Sequence, residues 1–202
     1  MKKADKIRIM EEMNTELLSL KKSPLYEYRT QNGYLPVVGD GDCSAKIMFI
    51  GEAPGKNEAK TGKPFCGTAG KILDKLLNSI DLERKDVFIT NIVKDRPPEN
   101  RDPSLEEIDI YGPFLDKQIE VIQPKIIATL GRYSMNYVLE KFGLKEKLLP
   151  IGEIHGKFFD SNTTYGSVKV VVLYHPCVAV YNGSKIGILM EDFKIIKKLL
   201  DK

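Results

Sequence analysis

Residues 51–70 read GEAPGKNEAKTGKPFCGTAG, and the nature of whatever this stretch binds decides how the chain is understood. It follows a short apolar run, KIMFI at 46–50, and leads into KILDKLL at 71–77, whose apolar spacing is helical. Five glycines, two prolines, two carboxylates and one phenylalanine therefore lie between a strand and a helix. Such a density of backbone-permissive residues at that junction fits a ligand that must approach the main chain closely. A phosphate cradle fails on spacing. Gly51 through Gly55-Lys56 is one residue short of a Walker loop and has Asn57 where a hydroxyl is needed, while Gly62-Lys63 is followed by Pro64. No G-x-G-x-x-G fingerprint opens at the strand end either.

Working outward, strands alternate with helices. Residues 4–22 carry apolar side chains at near-helical spacing, and 26–43 read as a loop with Asn32-Gly33 and Gly39-Asp40-Gly41 as turns. Strands are expected at 46–50, 87–93, 125–130 and 168–174, with a shorter one around 157–159 inside an irregular segment. Helices are expected near 68–80, from the capping box Ser104-Leu-Glu-Glu107 to about 122, at 131–142, and from 186 to 200. The pattern predicts an α/β fold: a three-layer α/β/α arrangement around a central, mostly parallel four-stranded sheet. Ligands bind such sheets at the carboxyl ends of the strands, which here feed the loops at 51–70, 91–103 and 175–183.

At 202 residues the chain is expected to form one domain, 1–202, with 1–22 as a helix packed on it. Thirty-one Lys and Arg against 28 Asp and Glu give a net charge of +3, which permits a polyanionic partner without demanding one. Cys43, Cys66 and Cys177 are odd in number, far apart and without a CxxC pair, so neither a disulfide framework nor a local zinc site is expected. The mixed charges of the first 20 residues lack the apolar block of a signal peptide, and no run reaches membrane-spanning length. A cytoplasmic monomer that avoids membranes is the expectation.

The loops share more than position. GEAPG-x-x-E, G-x-PFxG-x-AG, TN-x-VK-x-RPP-x-NR-x-P, LGR and HP occur in this order at successive strand ends. Each is weak alone, but the ordered set resembles the uracil-DNA glycosylase superfamily, most closely its family 4, over nearly the whole chain from about Leu20. The resemblance implies a hydrolase of DNA repair that flips uracil out of single-stranded or mispaired DNA and cleaves its N-glycosidic bond, leaving an abasic site. Two alternatives stay open: a non-catalytic or slow binder of uracil-containing or single-stranded DNA, and a glycosylase for another deaminated base such as hypoxanthine.

By the same resemblance Phe65 stacks on the flipped base. Asn91 reads it, its NH2 donating to uracil O4 and its carbonyl accepting from N3–H, a pattern cytosine cannot match. His175 stabilises charge developing on O2. Gly51, Ala53, Pro54 and Gly55 form the pocket floor. Ala53 stands where the best-known relatives carry an aspartate, so Glu52 is the nearest candidate to orient water. Glu58 walls the pocket near C5. Which glutamate matters more for rate is open. Arg96, Arg101 and Arg132 are expected on phosphates. Val178 to Tyr181 follow His175-Pro176, where the superfamily places its wedge into the base stack, with the inserting side chain unassigned.

One departure stands out. Family 4 members hold a [4Fe–4S] cluster on four cysteines, and the matching positions here are Leu20, Ser23, Asp95 and Tyr111. A cluster needs thiolates, so no metal and no cofactor are expected. Apolar contact through Leu20 and Tyr111 is expected to tie those segments together instead.

Overall fold

Strands that are apolar on both faces must be buried between two layers, and the sheet is built that way. The computed structural model describes residues 1–201. Two helices, α1 (Lys3–Leu18) and α2 (Tyr26–Gln31), precede the two-residue strand β1 (Asp40–Gly41). Then come β2 (Ile47–Gly51), α3 (Lys56–Thr61), α4 (Thr68–Asn78), β3 (Phe88–Asn91), α5 (Leu105–Ile122), β4 (Ile126–Leu130) and α6 (Arg132–Lys141). The chain continues through α7 (Ile151–Ile154), β5 (Phe158–Thr163), β6 (Gly166–Leu173), α8 (Cys177–Tyr181) and α9 (Ile186–Leu200).

The strand order is β1-β3-β2-β4-β6-β5. The pairs β3–β2, β2–β4 and β4–β6 are parallel and are the four strands expected from sequence. Side chains alternate between the faces. Met48, Ile50, Ile127, Val170 and Val172 pack on Leu115 and Ile119 of α5 and Met135 and Val138 of α6. Ile47, Phe49, Ala128, Val171 and Leu173 pack on Leu73 and Leu76 of α4 and Phe193 and Ile196 of α9. Phe49 and Phe193 stack with ring centroids 5.7 Å apart. These are the three expected layers.

The sheet has six strands rather than four. Both additions are antiparallel edges, β1 on β3 and β5 on β6. A two-residue Asp-Gly strand has no periodicity to read, and β5 runs from the expected 157–159 region into polar, half-exposed residues up to Thr163. The six-residue helices α2 and α3 were likewise too short to show a period.

The capping box that opens α5 is formed in full: Ser104 Oγ accepts from Glu107 N–H at 3.2 Å, and Glu107 Oε2 accepts from Ser104 N–H at 2.8 Å. Met13 and Leu17 of α1 are buried with Leu25, Val93, Tyr111 and Phe114, which seats α1 against α5. Among the described residues no helix is long and apolar enough to cross a membrane.

Candidate functional site

Parallel register places Gly51 directly opposite Asn91 at the carboxyl ends of β2 and β3. Above them opens a cavity of about 390 Å³. Of the residues expected in the site, Glu52, Ala53, Pro54, Gly55, Glu58, Phe65 and Asn91 line it, as do Arg101, His175 and Tyr181. A larger groove, about 540 Å³, runs along α1, but neither a histidine nor any of Glu52, Glu58, Phe65 and Asn91 lines it.

Gly51 lies under the cavity, where any side chain would collide. A Cβ there would sit 2.3 Å from Asn91 Oδ1 and 2.8 Å from the Phe65 ring. Asn91 is 2% exposed, yet its side-chain amide takes part in none of the hydrogen bonds among the described residues. Asn91 lines the cavity, so its donor and acceptor are left free for a ligand that enters there. Its backbone is held by Lys94, a fully buried lysine that sequence reading passed over. Lys94 Nζ donates to Asn91 O at 2.6 Å, Gln118 Oε1 at 2.7 Å and Thr90 Oγ1 at 2.8 Å. Burial pushes the Lys94 pKa well down, while the three oxygens match the three N–H bonds of an ammonium.

Phe65 has a φ of 49°, a left-handed conformation that costs a non-glycine residue about 1–3 kcal/mol. Its ring centroid is 5.6 Å from that of His175. His175 follows β6, and its Nδ1 accepts the Cys177 backbone N–H at 3.1 Å. That contact settles the tautomer: Nδ1 carries no proton, so the neutral ring bears N–H at Nε2. Burial pushes the His175 pKa down to about 4, opposed by Glu58, so the ring is neutral near pH 7. Gly131, at φ 100°, passes so close that a Cβ would lie 3.2 Å from His175 Cβ, which explains the glycine of Leu-Gly-Arg. His155 organises structure instead, with Nδ1 2.7 Å from Asp192 Oδ2 and its ring tilted against that of Tyr174, centroids 4.2 Å apart.

The two glutamates differ. Glu58 Oε1 accepts the Gly67 N–H at 2.9 Å, tying α3 to the start of α4. Among the described residues the Glu52 carboxylate takes part in no hydrogen bond. Burial pushes its pKa up to about 7, Asp102 pushes the same way, and Arg132 opposes. A carboxyl poised near neutrality in a cavity is suited to proton transfer.

The arginines are placed unevenly. Arg132 is not among the residues lining the cavity; it is 61% exposed at its side chain, with Nη2 2.6 Å from Asp102 Oδ2. Arg101 is bound bidentately to the buried Glu107, Nη1 to Oε2 at 2.9 Å and Nη2 to Oε1 at 2.5 Å. Arg96 departs from the expectation of a phosphate contact: it is 8% exposed and bonds Asn100 Oδ1, Tyr28 OH and Tyr34 OH at 2.7, 3.1 and 3.0 Å. Those bonds brace the loop rather than free the guanidinium. In α8, Val178 packs on the core, whereas Tyr181 is 89% exposed and stands beside the cavity.

The positions matching the cluster cysteines hold a different device. Leu20 is buried in the apolar cluster with Tyr111, as expected. The expectation was incomplete, because the link is polar as well. Ser23 Oγ lies 2.7 Å from the Tyr111 hydroxyl, which donates to Asp95 Oδ2 at 2.6 Å, and Arg29 Nε is 3.4 Å from the same carboxylate oxygen. Leucine, serine, aspartate and tyrosine supply no thiolate, so the donor set does not fit an iron–sulfur cluster. Tyr111→Phe keeps the ring and removes the shared hydroxyl. The expected loss is about 1–3 kcal/mol, because Asp95 and Ser23 are left buried without it; denaturant or thermal unfolding measures it.

Comparison with known proteins agrees with the geometry. The Uracil DNA glycosylase superfamily model matches residues 38–200. A Type-4 uracil-DNA glycosylase of Sulfurisphaera tokodaii is 46% identical over 191 residues, covering 94% of this chain and 84% of the relative. The Type-4 uracil-DNA glycosylase of Archaeoglobus fulgidus is 38% identical over 193 residues, covering 96% and 94%. One from Thermotoga maritima is 36% identical over 196 residues, covering 96% of each. Matched from β1 to α9 and sharing over a third of its residues with full-length relatives, the chain belongs to the uracil-DNA glycosylase superfamily.

Proposed function

We propose that this chain is a monofunctional uracil-DNA glycosylase. The observation that carries the assignment is the Asn91 amide, which lines the cavity without a side-chain hydrogen bond among the described residues, sharing that cavity with a neutral His175 whose proton is confined to Nε2. Uracil flipped from the stack lies against Phe65. Asn91 donates to O4 and accepts from N3–H. The bond from N1 to C1′ breaks with its electron pair leaving on the base, and the Nε2–H of His175 meets the charge that reaches O2. Water adds to the oxocarbenium-like C1′ and gives up a proton to the Glu52 carboxylate. The uracil anion takes a proton from solvent. Glu58 forms the wall near C5, Arg101 and Arg132 meet phosphates, and Tyr181 fills the vacated stack. We further propose that residues 1–202 form one domain that acts as a cytoplasmic monomer on single-stranded or mispaired uracil without a cofactor.

The decisive experiment is single-turnover incubation of enzyme in excess with a uracil-bearing oligonucleotide, followed by alkaline cleavage. Strand scission supports the proposal. An intact strand that is nevertheless bound identifies a non-catalytic binder, and scission only at hypoxanthine identifies a different base.

Glu52 sets an expected pH profile. As the base it acts ionised, so kcat/KM rises with pH through about 7 and levels above it, while His175, titrating near 4, adds no limb at neutral pH. Glu52→Gln lowers the plateau and removes the limb. The sign for folding is opposite: the raised pKa favours the native state below about 4.5, and that contribution fades as pH climbs through about 7. A profile unchanged by Glu52→Gln would place the base elsewhere.

A further inference from the structure

We propose that Arg84 is a positioning residue for base stacking, its guanidinium holding Phe65 in the left-handed backbone conformation that presents the ring to the cavity. The proposal rests on the assignment of Phe65 as the stacking ring.

Arg84 lies outside the cavity, in a single turn at residues 84–86 between α4 and β3. That turn is itself fixed by reciprocal bonds between Glu83 and Asp86. From it one planar guanidinium reaches the loop that carries the ring. Nη1 donates to Pro64 O at 3.1 Å, Nη2 donates to Phe65 O and more distantly to Gly70 O at 3.5 Å, and Nε donates to Asp74 Oδ1 at 2.5 Å. The fork is rigid, so its three nitrogens fix where these carbonyls lie. A second feature converges on the same atom. A Cβ on Gly70 would fall 1.7 Å from Phe65 O, so the carbonyl has room only because residue 70 is glycine. Phe65 has reason to need holding. Its φ of 49° is unfavourable for a phenylalanine, and its ring occupies a narrow seat between Gly51 and His175. Without the clamp the backbone is free to relax to negative φ, which turns the ring out of register with Asn91 and His175.

The test is a double-mutant cycle read by single-turnover excision on a uracil oligonucleotide, with unfolding measured alongside. Arg84→Met is expected to slow excision by about 10–100-fold, the scale of a misplacement near 1 Å. Phe65→Ala is slow for its own reason, and adding Arg84→Met to it is expected to change the rate less than two-fold, because there is no ring left to position. A merely structural arginine would lower stability and rate by the same factor in both backgrounds, and such additivity overturns the proposal while leaving the stacking role intact. Phe65→Ala at the parent rate overturns the stacking assignment and Arg84's role with it. Should Arg84→Met not fold, Arg84→Lys serves: its ammonium keeps the charge but cannot span the carbonyls, so it too is expected to be slow only when Phe65 is present, and a parent-like rate overturns the proposal.

Discussion

Replacing His175 by alanine is expected to slow single-turnover uracil excision by about 10²–10³-fold while changing the affinity for uracil-containing DNA little. The asymmetry follows from when the charge appears. In the bound substrate O2 is an ordinary carbonyl, and one hydrogen bond to it adds little to affinity. As the glycosidic bond breaks, the base takes the electron pair and O2 becomes the end of an anion. A donor already aimed there needs no reorganisation at that moment. The Cys177 backbone N–H, at 3.1 Å from Nδ1, keeps the proton on Nε2, and burial keeps the ring neutral. His175→Gln offers a donor without that fixed geometry and should recover part of the rate. Quenched-flow excision with enzyme in excess gives the chemical step, and filter binding gives affinity. Equal losses in both would mean that His175 shapes the pocket rather than the transition state.

Much of this was legible because burial on both faces demands it. The four parallel strands read as apolar runs since each has helices above and below, and the site falls at their ends since parallel sheets leave it there. Asn91, Phe65 and His175 could be picked out because each sits in a short motif at a strand end. What escaped was decided at long range. Nothing in Arg-Pro-Pro says that Arg96 turns inward, because its partners Tyr28 and Tyr34 lie 68 and 62 residues away. Arg84 reaches carbonyls 14 to 20 residues earlier, with no pattern to announce it. Lys94 was visible as part of its motif but carried no role there; only the fold brings Gln118 to its ammonium. At the cluster positions the missing cysteines were plain. Their replacement was not, because a hydroxyl and a carboxylate 16 residues apart become partners only when α5 packs beside the loop after β3.

Asn91→Ala is expected to lower excision by about 10³-fold or more and to leave the electrostatic part of DNA binding as it was. Two effects combine at this amide. In the proposed mechanism its NH2 meets O4, which shares the negative charge as the base departs, so the donor helps the chemical step as well as recognition. Its carbonyl is proposed to accept from N3–H, and with both bonds removed the proposed contacts leave a flipped uracil only its stacking on Phe65, which any base can supply. The variant should therefore lose selectivity along with rate. The phosphate contacts proposed for Arg101 and Arg132 do not involve this amide, so the slope of log affinity against log salt should match the parent. The cavity is not at risk from the substitution, since Asn91 is held through its backbone by Lys94 and alanine relieves rather than adds crowding against Gly51. Asn91→Asp controls for size: a carboxylate fills the same space but puts an acceptor where O4 needs a donor, so it should excise uracil no better than alanine does. If aspartate excised uracil like the parent, the amide's hydrogen would not be what reads O4; if alanine did so, the base would be recognised by groups other than Asn91.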